Sequence, residues 1–399
     1  MTMSAALPEP DAGALEHSRR LSDLLHDRMA EAPLPFVDWM QAALYEPGLG
    51  YYMAGAHKFG HGGDFITAPE VSSLYAGALA VQCRQVFGAE PDAPGVPRGI
   101  LELGAGSGAL ALGLLGELSL EELPRYAILE PSPELQARQR TLLVDALGEG
   151  VLERVSWLHA LPDRFDGVVI ANEVVDALPV ERFVKRSAAP GDAWRIVTEV
   201  RGGVFVDAHD ELPEPLRAEL ARRESELPEP LPAGYASELN ALAAPWLASL
   251  AAMLGRAVVL IIDYGYPRAE LYSAERGRGT LACYYRHRAH DDPYRWPGLQ
   301  DITAHVDFTA LAEAGTDAGL VLLGYGAQAG FLLGNRLTEL AQARMADCQR
   351  ELERIAVAQQ VKTLTLPGEM GERFQVIAFG SDYDRALQGF TGQDLTHRL

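Results

Sequence analysis

The sequence predicts an α/β protein: an open seven-stranded sheet with an N-terminal segment and accessory segments inserted around it. Three observations carry this. Short apolar runs alternate with helix-length stretches along much of the chain. One of these runs, within Ile100–Leu115 (ILELGAGSGALALGLL), breaks into closely spaced glycines and re-enters a helix. Five strands that alternate with helices are then followed by two late ones.

In order, the expected strands are Gly99–Leu103, Tyr126–Leu129, Val155–His159, Gly167–Ala171, Ala257–Asp263, Leu320–Leu323 and Phe374–Phe379. Helices are expected at Ala109–Glu117, Pro133–Leu147 and Ser237–Leu254, the last from a core-facing stripe through Leu239, Leu242, Trp246, Leu250 and Leu254. Residues 337–362 read as one long amphipathic helix. The Pro- and Glu-rich stretch Leu212–Pro232 reads as an exposed connection. Arg182–Lys185, Trp194–Val200 and Val204–Val206, separated by Pro-Gly and Gly-Gly turns, read as a β insertion. The expected organisation is an N-terminal helical or lid segment (1–98), an α/β domain (99–380) with a β insertion at 180–207 and a substrate-side insertion at 277–308, and a tail (381–399).

The 399 residues carry 34 Lys plus Arg against 55 Asp plus Glu, a net charge of −21. That argues against nonspecific binding to nucleic acid or anionic membrane, while an acidic surface would welcome a basic partner. Cys83, Cys283 and Cys348 are odd in number and far apart, which fits a reducing compartment rather than a disulfide framework. The N-terminus has no apolar signal core and carries acids, so a cytoplasmic location is expected.

The glycine turn at Gly104, Gly106 and Gly108 lets backbone approach a ligand and leaves helix N-terminal N–H groups facing it. Gly104, Gly106 and Ala109 also satisfy a dinucleotide fingerprint with Glu130 downstream, so an NAD(P)-dependent oxidoreductase is one alternative. A turn that merely allows tight packing is another. Glu102 tips the choice, because a carboxylate suits the sulfonium and ammonium of S-adenosylmethionine better than a pyrophosphate. Glu130, ending the second strand, is placed to accept the ribose hydroxyls; a helix cap is the other reading, although Ser132 or Pro133 already serves the next helix.

Asn172, Glu173 and Asp176 follow the fourth strand. A helical turn there would put Glu173 and Asp176 on one face, where paired carboxylates could hold a guanidinium. Otherwise Asn172 caps a helix and Asp176 is solvated. Gly60–Ser72 (GHGGDFITAPEVS) could fold over a cofactor through Gly63, Asp64, Thr67 and Pro69, but from composition it is an ordinary polar loop with a helix-start signal. In Cys283–Phe308 the residues His287, His290, Asp291, Asp292, His305 and Asp307 suit a metal by type, yet no fixed ligand spacing appears and a solvated loop is favoured. Substrate recognition by Tyr285, Arg286 and His287 is a third reading. Asp263 and Tyr264 should share a sheet edge with Glu173.

Together FVDWMQAALYEPGLGYY, GDFITAPEVSSLY, ILELGAGSGALA, ANEVVDALPVERF, IDYG, GTLACYYRHRAHDDPY, GLQDITAHVDF and PGEMGERFQVIAFG resemble the MidA-like methyltransferases, from about Phe36 to Phe379. That family includes a mitochondrial complex I assembly factor that is a protein arginine methyltransferase. The resemblance implies a class I, Rossmann-like fold, S-adenosyl-L-methionine as methyl donor and an accessible arginine of a protein as acceptor. It implies that Glu102, Gly104, Gly106, Gly108 and Glu130 bind the cofactor, covered by Gly63, Asp64, Thr67 and Pro69. By the same resemblance Asn172, Glu173 and Asp176 would line the catalytic end; from the residues themselves Asp263, Tyr264, Tyr285, Arg286 and His287 are the candidates for binding substrate. The transit segment of the mitochondrial relatives is missing, which suggests a bacterial chain. A noncatalytic assembly factor that keeps the fold is a rival reading, and a second copy of the chain is a candidate partner.

Overall fold

The computed structural model describes residues 7–54, 67–88 and 96–399. They form two compact units that cut across the expected division at 98/99 and 380/381. One comprises the described residues of Ile66–Val175, Ala244–Gly265 and Phe308–Leu399; the other those of Met1–Phe65, Asp176–Ala243 and Tyr266–Asp307.

The first unit holds β1 (Gly99–Leu103), β2 (Arg125–Leu129), β3 (Val155–Leu158), β4 (Phe165–Asn172), β5 (Leu254–Tyr266), β6 (Val321–Ala327) and β7 (Phe374–Ser381). They pair in the order β6-β7-β5-β4-β1-β2-β3. The run from β5 to β3 is parallel, and β7 is antiparallel to both neighbours. Parallel strands are covered on both faces, so they read as unbroken apolar runs; Val168–Ala171 and Ala257–Ile261 are almost wholly buried. Helices α1 (Ser73–Phe87), α2 (Ala109–Glu117) and α3 (Pro133–Leu147) serve the glycine-turn end. A Cβ on Gly113 of α2 would sit 2.4 Å from the Ala76 Cβ of α1, so these helices touch almost backbone to backbone.

Register positions the site. Leu103 pairs with both Leu129 and Ala171, and Asn172 pairs with Ile262. The carboxyl ends of β1, β2, β4 and β5 are thereby level. The chain order reverses between β1 and β4, the place where open α/β sheets bind ligands.

The other unit packs helices Ala12–Arg28 and Phe36–Tyr45 with a five-stranded sheet that contains Glu181–Lys185, Ala193–Arg201, Val204–Glu211 and Ala236–Leu239. Its buried Lys185–Glu224 ion pair, 2.6 Å, ties a strand to helix Glu214–Ser225. Among the described residues no helix is long and apolar enough to cross a membrane.

Three expectations are corrected. Ser237–Leu254 is not one helix: Ala236–Leu239 is a strand, and the Asn240 carboxamide accepts the N–H groups of Leu242 and Ala243 to start a helix at Ala243–Met253. Side-chain capping by Asn competes with helix continuation, and the apolar stripe does not register it. Leu212–Pro232 contains helix Glu214–Ser225, begun by a proline near its first turn and burying Leu220, Arg223 and Glu224. The helix over 337–362 is two, Leu337–Asp347 and Glu351–Thr365; Glu353 accepts from the N–H groups of Gln349 and Arg350 and founds the second. The tail packs down, with Gly389 N–H donating to Gln82 and Leu395 N–H to Tyr325.

Candidate active site

Gly104, Gly106 and Gly108 have φ of 65°, 52° and 85°, the left-handed region where any other L-residue is strained. Gly104 N–H donates to Leu129 O, holding the turn against β2. Gly108 precedes α2, and a Cβ there would meet the Cγ of Gln139 at 3.2 Å.

Glu102 lies inside the sheet and accepts a 2.6 Å hydrogen bond from the Tyr126 hydroxyl. Burial pushes its carboxyl up to about 7, against the effect of that bond and helped by the charge of Glu130. The charge argument that selects a cationic ligand is therefore weaker than residue type suggests, since such a group is only partly ionised at neutral pH.

Glu130 is buried at the end of β2. Its carboxylate accepts from Ser132 N–H at 2.9 Å and from the Gln139 amide at 3.4 Å, while its carbonyl accepts from Gln136 at 2.6 Å. Ser132 caps α3, so Glu130 is not needed for that purpose.

Beyond β4 the backbone turns sharply: Glu173 has φ of 55°, a strained value for a side chain of this kind. The turn is not helical, so the pairing of Glu173 with Asp176 on one helix face does not form, and Asn172 caps no helix. Asp263, expected to face substrate, is instead fully buried. It accepts from the backbone N–H groups of Val174 (3.1 Å), Val175 (2.8 Å) and Tyr264 (2.8 Å). Its role is to pin the Glu173 turn onto β5. The Tyr264 ring packs on Phe374 with centroids 3.8 Å apart.

Tyr75 of α1 donates to Asn172 Oδ1 at 2.5 Å, which fixes the amide so that its nitrogen donates to Glu173 Oε1 at 3.2 Å. The Glu173 carboxyl also accepts from the backbone N–H of Ala68. Burial, then the neighbouring Asp263 charge, pushes Glu173 up to about 8. Thr67 and Pro69 belong to the start of helix Ala68–Val71, where Glu70 accepts from Thr67 N–H at 3.1 Å. The capping reading of that stretch holds, and it also delivers Ala68 to Glu173. Gly63 and Asp64 lie outside the described residues.

Asp176, Tyr285, Arg286 and His287 fall in the other unit. Asp176 is buried, and its carbonyl accepts from Ala304 N–H. Tyr285 is buried beside Trp296, while Arg286 and His287 form the exposed, positive-φ tip of a hairpin. Among the described residues no group of three or more His, Cys, Asp or Glu side chains could hold a metal ion. The residues absent from the sequence reading are Tyr75, Ala68 and Gln139. Gln136 and Gln139, one helical turn apart after EPSP, were the legible signal for the last.

Residues 78–326 match a family model described as "Putative S-adenosyl-L-methionine-dependent methyltransferase". The chain is similar to the mitochondrial protein arginine methyltransferase NDUFAF7 of Danio rerio, 27% identical and covering 89% of this chain and 85% of that one. The Homo sapiens protein of the same name is 25% identical over 90% and 82%. A Burkholderia thailandensis crystal structure bound to S-adenosyl-homocysteine superposes with a TM-score of 0.90 at 42% identity, covering 99% of this chain and 100% of that one.

Proposed function

The chain belongs to the MidA-like family of S-adenosyl-L-methionine-dependent methyltransferases, and from that premise we propose that the group it methylates is an arginine side chain of a protein. Adenosylmethionine is the methyl donor, and the residues present suit it: three positive-φ glycines allow close backbone approach, and Glu130 stands at the adjoining strand end. The strand order, with β7 alone reversed, supports a class I, Rossmann-like arrangement. The acceptor assignment draws on the names of the NDUFAF7 relatives.

The observation that carries the chemistry is Glu173, a carboxyl pushed up to about 8 at the end of β4 and oriented by Asn172 and Ala68. Bound adenosylmethionine supplies an electrophilic methyl group on its sulfonium. A guanidinium remains charged at any working pH. Its approach favours the ionised form of Glu173, and the carboxylate then aligns the acceptor nitrogen. As the new N–C bond forms and the S–C bond breaks, one guanidinium proton must leave. A carboxylate with a raised pKa is well matched to receive it.

Incubating the protein with labelled adenosylmethionine and a host lysate, then mapping the modified positions by mass spectrometry, tests the proposal. Methylarginine is expected. Methyl-lysine, a methylated small molecule or the absence of any product would overturn the arginine assignment.

A further inference from the structure

Gln139 is wholly buried on α3, yet it is polar and lies beside the cofactor-binding elements. All its hydrogen-bonding groups are directed. The Trp157 indole N–H, a donor only, reaches Gln139 Oε1 at 2.8 Å and so fixes which way the amide faces. The amide nitrogen then points at two acceptors, Gly106 O at 3.0 Å and Glu130 Oε2 at 3.4 Å. Its two hydrogens are thus shared between the glycine turn and the acid that ends β2. The Gln139 side chain also packs on Gly108, where a Cβ would come within 3.2 Å of it. A core position of this kind would ordinarily be apolar, because a buried amide is costly unless every bond is made.

We propose that Gln139 is a positioning residue for adenosylmethionine. It locks the Glu130 carboxylate to the Gly106 backbone, so that the ribose-facing acid and the glycine turn meet the cofactor in one fixed geometry. Trp157 sets its orientation from the third strand. This rests on the reading that Glu130 accepts the ribose hydroxyls, and it is independent of the acceptor.

The test compares calorimetric binding of S-adenosylhomocysteine with that of its 2′-deoxyribose analogue, to the native protein, Gln139→Met and Glu130→Gln. The native protein is expected to prefer the ribose form by about tenfold, the scale of one hydrogen bond to a charged group. Gln139→Met should bring that preference to within about twofold of unity, as should Glu130→Gln. If Gln139→Met weakens both ligands equally and keeps the native preference, Gln139 is only a packing residue and the proposal fails. A native protein that does not distinguish the two ligands overturns it as well, through the role of Glu130. Should Gln139→Met not fold, Trp157→Phe removes the indole N–H that fixes the amide while leaving Gln139 in place; a reduced preference for the ribose form is expected, and an unchanged preference overturns the proposal. None of these outcomes depends on which protein is methylated.

Discussion

Two acids at this sheet edge carry protons further up the pH scale than carboxyls normally do, for different neighbours and with different consequences. Glu102 is raised by burial from 4.5 to about 7. The folded chain therefore holds that proton where the unfolded chain releases it. The resulting stabilisation is complete below about 4.5 and is lost as pH rises through about 7. Glu102→Gln should flatten this decline, removing on the order of 3 kcal/mol of pH-dependent stability between those limits; parallel melts of native and variant protein across pH 4 to 8 measure it. Glu173, raised to about 8, must be ionised before a guanidinium can pair with it. The kcat/KM of methyl transfer, which reports the enzyme before the acceptor binds, should accordingly climb with pH through about 8 and then level off. Glu173→Gln should keep cofactor affinity but lose about 100-fold in turnover and the pH dependence with it. Unchanged turnover would remove Glu173 from the reaction.

At the scale of elements, the active end is set by what clamps the strand ends together. Asp263 on β5 takes three backbone N–H groups and holds the turn that follows β4. Asp263→Ala orphans those donors and should cost about 3 kcal/mol or more of stability, read from denaturant midpoints. If the variant folds, its turnover should fall further than its cofactor affinity, because Glu173 and not the glycine turn is released. Gly108 sits where φ is 85° and Gln139 leaves little room. Gly108→Ala should cost about 1–2 kcal/mol from backbone strain alone, and should weaken S-adenosylhomocysteine binding in the same calorimetric assay.

For the whole molecule, the dominant property is a net charge of −21, which favours encounter with basic segments. The KM for an arginine-rich acceptor peptide should therefore rise several-fold between about 0.02 and 0.5 M salt as the Debye length shrinks, with kcat little changed. A KM indifferent to salt would exclude long-range attraction. Sequence alone determined the strands of the parallel sheet, the glycine turn and the helices at Ala109–Glu117 and Pro133–Leu147, because those signals are local: apolar runs, positive-φ glycines, a serine cap followed by proline. It also placed Glu130 and Glu173 at strand ends. It misjudged Ser237–Leu254 and 337–362, where a single capping side chain outweighs helical periodicity. Only the tertiary structure decided that Asp263 is an anchor and that Tyr75 orients Asn172. It also decided that Gln139 joins Glu130 to Gly106. Each of those depends on register and on packing between segments far apart in the chain, and no local pattern encodes which buried donor will meet which acceptor.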